Sequence, residues 1–210
     1  MKKLTPNKMR LLAFLVTLIW IPFVCNAQTA KTSDQLDQIK GLYEVDNSGN
    51  ISYVAIIENL NLSEKEIYDR ALSYFITKYG DANSVIQEKN ELEGRIIGKG
   101  IYPNVHTGNG LVARVFSVVH VLRIDIKEGR CRVIVSLTNY DVKSYDGYGN
   151  VYPSQYPITN TYPFNPKGAE KNFHGQAFAK AHQRVEKEIK ELEISIREGV
   201  ISNSVTKDDW

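Results

Sequence analysis

The chain has 210 residues, with 26 lysines and arginines against 24 acidic residues, a formal net charge of +2. Residues 1–27 hold four of the basic residues and none of the acidic ones, so residues 28–210 carry 22 basic against 24 acidic groups, a net −2. A near-neutral chain has no general attraction to nucleic acid or acidic membranes, and its length suits one domain with appendages.

The first 27 residues read as a cleaved export signal. Lys2, Lys3, Lys8 and Arg10 precede the uncharged run "LLAFLVTLIWIPFV", and "CNA" supplies a cleavage site before Gln28. The apolar run is shorter than the roughly 20 residues that span a bilayer, so a permanent anchor is disfavoured. Lipid modification of Cys25 is disfavoured too, because Val24 stands where such sites want a small residue. The expected location is therefore periplasmic or secreted, with possible envelope association. Cleavage leaves Cys131 alone, which excludes an internal disulfide.

Residues 28–49 are polar and read as a loose leader, ending in the turn-forming "DNSGN". "ISYVAIIEN" (51–59) follows as a first strand, rich in β-branched residues. "NLSEKEIYDRALSYFITKYG" is a helix: Ser63 and Glu66 form a capping box. Ile67, Ala71, Phe75 and Tyr79 recur every four residues, with Leu72 and Ile76 widening the stripe, and Gly80 is placed to end it. "NSVIQEKNELEGRIIGKGI" reads as two strands joined near Asn90-Glu91. "ARVFSVVHVLRIDIKEGRCRVIVSLTNYDV" is a hairpin whose register follows from parity. With Glu128-Gly129 as the turn, Ile126 pairs with Cys131, Ile124 with Val133, Leu122 with Val135 and His120 with Leu137. The other face then sets Asp125 against Arg132.

Residues 143–167 gather tyrosine and proline and read as a long loop, a length associated with function or mobility. Residues 168–199 carry the last helix, with Phe173, Ala177, Ala181, Val185, Ile189, Leu192 and Ile196 as its apolar seam. Glu186–Lys190 and Glu193–Arg197 are its surface pairs. Residues 200–210 form a tail expected to fray. The order β-α-β-β-β-β-α predicts an α+β fold: an antiparallel sheet of about five strands with two helices on one face, and the other face open.

The passage from "NLSEKEIYDRALSYFITKYG" to "SVIQEKNELEGRIIGKG" resembles domain of unknown function 4468, a family of exported Bacteroidetes proteins with a TBP-like fold. The matching features are the β-branched strand, "LS-x-x-E-I-Y" opening a helix, "SVIQ" and "GRIIGKG". The resemblance covers about residues 50–142. It implies a fold and no activity, since the family brings no catalytic residues to carry over, and a fold does not itself assign a function.

"LEGRIIGKGIYPN" poses the one choice between chemistry and packing. A phosphate-binding loop needs its glycines to open a helix. Here Pro103 follows, favouring extended chain, so the stretch reads as a strand with Gly94, Ile96, Gly98 and Gly100 on one face. Such a stripe admits a closely packed helix, or less commonly a ligand.

No enzyme motif emerges. A Cys131–His120 dyad is excluded by the hairpin register, which separates the two by on the order of 20 Å. Cys131 reads as a small core residue and His120 as a buried or edge histidine. His174 and His182 are too far apart on their helix to chelate one ion, and no metal or cofactor is expected. Two groups remain as candidate binding residues for a protein or glycan partner, with nucleic acid disfavoured. They are the loop tyrosines Tyr145, Tyr148, Tyr152, Tyr156 and Tyr162, and the basic residues Arg95, Lys99, Arg123 and Arg132, if these share the open sheet face. The favoured function is a non-enzymatic binding module of the cell envelope. The alternatives are a hydrolase-type site under the tyrosine-rich loop and a structural subunit that uses the last helix.

Overall fold

The structure is a computed structural model that describes residues 31–80, 82–108, 112–165 and 171–199. The expected signal and the C-terminal tail lie outside the described residues. Residues 31–39 form helix α1. The elements β1 (Glu44–Val45), β2 (Ile51–Ile57), α2 (Glu64–Tyr79), α3 (Ala82–Val85), β3 (Ile86–Asn90), β4 (Arg95–Gly108), β5 (Ala113–Lys127), β6 (Arg130–Tyr145), β7 (Val151–Pro157) and α4 (Lys171–Glu198) follow. A single turn of 3-10 helix, Ile158–Asn160, links β7 to the last segment.

All strand pairs are antiparallel, in the order β1-β2-β6-β5-β4-β3. The long β6 shares one edge between two partners: β2 pairs with Cys131–Leu137 and β7 with Asn139–Tyr145. Among the described residues the sheet has seven strands rather than the expected five, the two additions being β1 and β7. The described part of the leader is not loose either, because Thr32, Leu36 and Ile39 are buried.

The β5–β6 hairpin has the register that parity requires, from Lys127↔Arg130 through Ile126↔Cys131 and Asp125↔Arg132 to His120↔Leu137. Beyond it the register slips by one residue: Val119 pairs with Asn139, leaving Thr138 as a bulge whose hydroxyl donates to the Val119 carbonyl at 3.2 Å. The bulge resets the alternation of β6, so that Leu137 and Tyr140 both point into the core.

Helices α2 and α4 cover one face. The Ser63 capping box is present, Gly80 takes φ +70° and donates to the Ile76 carbonyl, and Ile67, Ala71 and Phe75 are fully buried. Glycine makes this packing possible. A Cβ on Gly98 would collide with the Phe75 ring, and one on Gly100 would stand 2.7 Å from the His120 ring and 2.8 Å from Tyr79. The glycine stripe is helix-packing surface, with one exception: Gly94 belongs to the β3–β4 turn at φ +59°. The α4 seam is spent on the same core, and Glu193–Arg197 pair at 2.8 Å. Glu186 instead meets His182 of its own helix, at 3.2 Å.

Two hairpin tips are built alike. "DNSGN" joins β1 to β2 and "DGYGN" joins β6 to β7. In each, one Asp oxygen accepts from the backbone two and four residues on (Ser48 and Asn50; Tyr148 and Asn150). The other oxygen accepts from the Asn side chain, and the Gly sits at φ +78° or +88°. The stretch expected as a structureless loop is therefore largely hairpin. Its signal lay in the repeated Asp-x-x-Gly-Asn pattern.

Candidate functional site

The open face is built from residues that point away from the helices on β2, β4, β5 and β6. One row across the sheet runs Arg95, Asp125, Arg132, Ile56, and the next Ile97, Arg123, Ile134, Val54. Asp125, 18% exposed, is the centre: it accepts from Arg95 Nε at 3.1 Å, Arg123 Nε at 2.9 Å and Arg132 Nη2 at 2.7 Å. Burial acts to raise its pKa, but the hydrogen bonds from Arg132, Arg123 and Arg95 outweigh that and hold it below the usual carboxylate value. Arg95 also meets Glu93 at 3.1 Å. One carboxylate thus fixes three guanidiniums that come from three strands, and each keeps donors that Asp125 does not use. Lys99 lies on the same face, exposed and opposite Val121. Beside the cluster is a cavity of about 210 Å³ lined by Ile56, Asp125, Lys127, Arg130, Cys131 and Arg132. Ile56 is 62% exposed, and Val54, in the next row of the same face, is 56% exposed. The four basic residues singled out in the sequence do share one face.

The tyrosines divide. Tyr148, at the tip of the β6–β7 hairpin, is 95% exposed; Tyr152 is exposed too, its hydroxyl donating to Asp146 Oδ2 at 3.2 Å. Tyr145 is half-buried at the end of β6. Tyr156 packs against Tyr140 and His174, its hydroxyl 3.0 Å from His174 Nε2, and Tyr162 packs on the core beside Gly175. Those last two pin the segment down. The exposed pair does not join the arginine cluster: Arg132 and Tyr145 are 13 residues apart on one strand, about 40 Å.

A second polar constellation lies between the sheet and α4, and the sequence reading passed it over. Glu188, 1% exposed, accepts from Tyr79 Oη at 2.6 Å and from the Tyr102 hydroxyl. Tyr79 Oη also lies 3.0 Å from His120 Nε2, and His120 stacks on Tyr102 with centroids 3.9 Å apart. With its proton committed to Glu188, the Tyr79 oxygen accepts from Nε2–H, which sets the His120 tautomer. Burial, then the Glu188 charge, push both tyrosine pKa values up, and burial pushes that of His120 down. The tyrosines keep their protons, the histidine stays neutral, and together they hold helix to sheet; they are poorly matched to acid–base work near neutrality. The signal was a single Glu on the apolar side of α4, beside Val185 and Leu192.

Cys131 and His120 stand apart as the register dictates. Cys131 is buried and free, its thiol pushed by burial up to about 12, which leaves it unreactive. His106 receives Lys180 Nζ at 3.1 Å on Nδ1. Among the described residues no group of three or more His, Cys, Asp or Glu is placed to hold a metal ion, and no helix is long and apolar enough to cross a membrane.

Comparison with known proteins agrees with this architecture. Residues 53–141 match the family described as domain of unknown function (DUF4468) with TBP-like fold. A crystal structure of a TBP-like protein from Parabacteroides distasonis is similar at a TM-score of 0.52 and 15% identity, over 71% of this chain and 96% of that one. A DUF4468 family protein from Bacteroides ovatus is similar at a TM-score of 0.44 and 13% identity, over 73% and 91%. No curated protein matches the sequence. The fold is α+β and TBP-like, and residues 53–141 are similar to the DUF4468 family.

Proposed function

We propose that this domain is an exported, non-enzymatic interaction module of the cell envelope. It holds an acidic partner on its open sheet face, with the Arg95–Arg123–Arg132 cluster as anchor and Val54 and Ile56 as the apolar rim. The observation that carries the reading is the convergence of three arginines on Asp125 beside two exposed branched residues. Guanidiniums already held in place lose little freedom when they meet a second carboxylate, so the anchor is preorganised. The adjacent apolar surface favours a protein over a purely polar glycan.

The test uses two probes, polyglutamate and polygalacturonate, against the purified protein and its Arg95→Ala/Arg123→Ala/Arg132→Ala variant. Salt-sensitive retention of polyglutamate that the triple variant loses supports the reading; preference for polygalacturonate moves the partner class to glycan. Equal behaviour of wild type and variant ends it, as does tight binding of duplex DNA through the same arginines. A Tyr148→Ser/Tyr152→Ser control keeps Tyr156, whose hydroxyl contacts His174, and is expected to bind as wild type does.

A further inference from the structure

We infer that the cavity at the turn end of the β5–β6 hairpin binds a phosphomonoester, held by Lys127, Arg130 and Arg132. The inference goes beyond the acidic-partner reading: it stands on Lys127 and Arg130, which that anchor leaves out.

The observation is a concentration of positive charge that the fold itself does not neutralise. Lys127 and Arg130 close the hairpin directly opposite one another, and like charges so placed repel. Arg132 follows two residues along β6, so strand alternation sets all three side chains on the open face. All three line the cavity of about 210 Å³. Among the described residues neither Lys127 nor Arg130 has an ion pair or a side-chain hydrogen bond.

The acids close by are engaged elsewhere. Glu128, in the turn itself, accepts from the Glu64 N–H at 3.1 Å, at the start of α2. Asp125, the one carboxylate of the cavity, is already shared by Arg95, Arg123 and Arg132. Glu58, just beyond β2, lines a neighbouring cavity with Arg130 and pairs with neither cation.

This charge sets the ligand. The lining carries three positive groups against one negative, a surplus that a dianion matches. A phosphomonoester is close to a dianion at neutral pH and offers three strong acceptor oxygens, whereas a phosphodiester or a carboxylate carries a single charge. Guanidinium forks meet phosphate oxygens in pairs, and a lysine adds a point charge. Arg132 is held by Asp125 Oδ2 at 2.7 Å, so one of the three groups is in place before binding. Ile56 supplies an apolar wall, which suits the carbon side of an ester better than free phosphate. Sites that enclose a whole small molecule measure about 300–1,000 Å³; this one takes a headgroup and leaves the remainder outside. A soluble phosphate ester and a lipid headgroup present the same chemistry here.

Phosphorus NMR titration with glycerol phosphate, and flotation with phosphatidylcholine vesicles carrying phosphatidic acid, test the two sources on the purified protein. Binding of glycerol phosphate assigns a soluble ester; binding of the phosphatidic acid vesicles alone assigns a lipid headgroup. Affinity for glycerol phosphate, where it binds, is expected to rise about fourfold from roughly pH 5.5 to 7.5, as the second ionisation near pH 6 completes the dianion. Lys127→Ala/Arg130→Ala, at exposed positions, weakens binding at least about tenfold while the unfolding transition is kept. Equal flotation with phosphatidylglycerol, a diester, overturns the inference, as does glycerol phosphate binding that is flat across that pH range or ester binding indifferent to the double variant. A protein that retains polyglutamate yet ignores both esters overturns it too, and leaves the acidic-partner reading standing.

Discussion

The two faces of the sheet are written in the same strands, residue by alternate residue, yet they handle polar groups in opposite ways. On the covered face a buried carboxylate is matched within one cluster: Glu188 takes two tyrosine hydroxyls, and His120 completes it. On the open face Asp125 also collects its donors, but these are three cations that keep donors to spare beside an exposed cavity. The lesson is that a closed network locks a helix to a sheet, whereas an open one holds functional groups in position for something else. All four histidines lie on the covered side: each is buried, and each sits against an aromatic ring.

The sharpest way to break this comparison is Glu188→Ala, which takes the Tyr102 hydroxyl's acceptor away, leaves Tyr79 with His120 alone and opens a cavity. The expected cost is about 3–5 kcal/mol, a fall in Tm on the order of 10 °C; a loss no larger than that of a surface mutation would mean the network is not closed. Gly98→Ala drives a methyl into Phe75 and is expected to cost about 1–3 kcal/mol in urea unfolding, whereas Gly129→Ser, in open space, would report only the turn.

Acid should act on the covered face. Burial, with Lys180 behind it, lowers the pKa of His106 from 6.5 to about 4; burial likewise lowers His120 and His174, with Arg114 contributing at the latter. The folded state holds these rings neutral while the unfolded chain takes up protons first. Their stability contribution is therefore complete above about pH 6.5 and is lost as the pH falls toward 4. Urea midpoints between pH 7 and 4 (~3 pH units) should decline, and His106→Phe should flatten the decline. The smallest effect belongs to the open face. Asp125→Asn frees the arginines at under about 1 kcal/mol, because the pairs are partly solvated. With the guanidiniums no longer held in place, affinity for polyglutamate should fall; destabilisation as large as that of Glu188→Ala would erase the distinction between the faces.

Local signals carried much of this fold. The α2 cap, the Gly80 stop, the α4 seam and the β5–β6 register are all consequences of residues near one another in sequence, where periodicity and turn chemistry act directly. The second Asp-x-x-Gly-Asn was legible too, but the density of tyrosine and proline around it masked the hairpin. Of the candidate site, the shared face of Arg123 and Arg132 was legible from hairpin parity, and that of Arg95 was not. That Asp125 gathers them was only half visible, since parity set Asp125 against Arg132 and left the β4 register open.

What the sequence by itself determined is the alternation: which residues of each strand turn toward helices and which toward the other side. Only the tertiary structure decided what those residues meet. Glu188 lies 68 residues from His120, Tyr156 packs on His174, and β2 beyond Ser52 has no outer strand among the described residues because β1 stops after two pairs. The physical reason is one of range. Hydrogen-bonded periodicity is set by neighbours in the chain, while burial, ion pairing and edge exposure depend on which distant segments the packed sheet brings together.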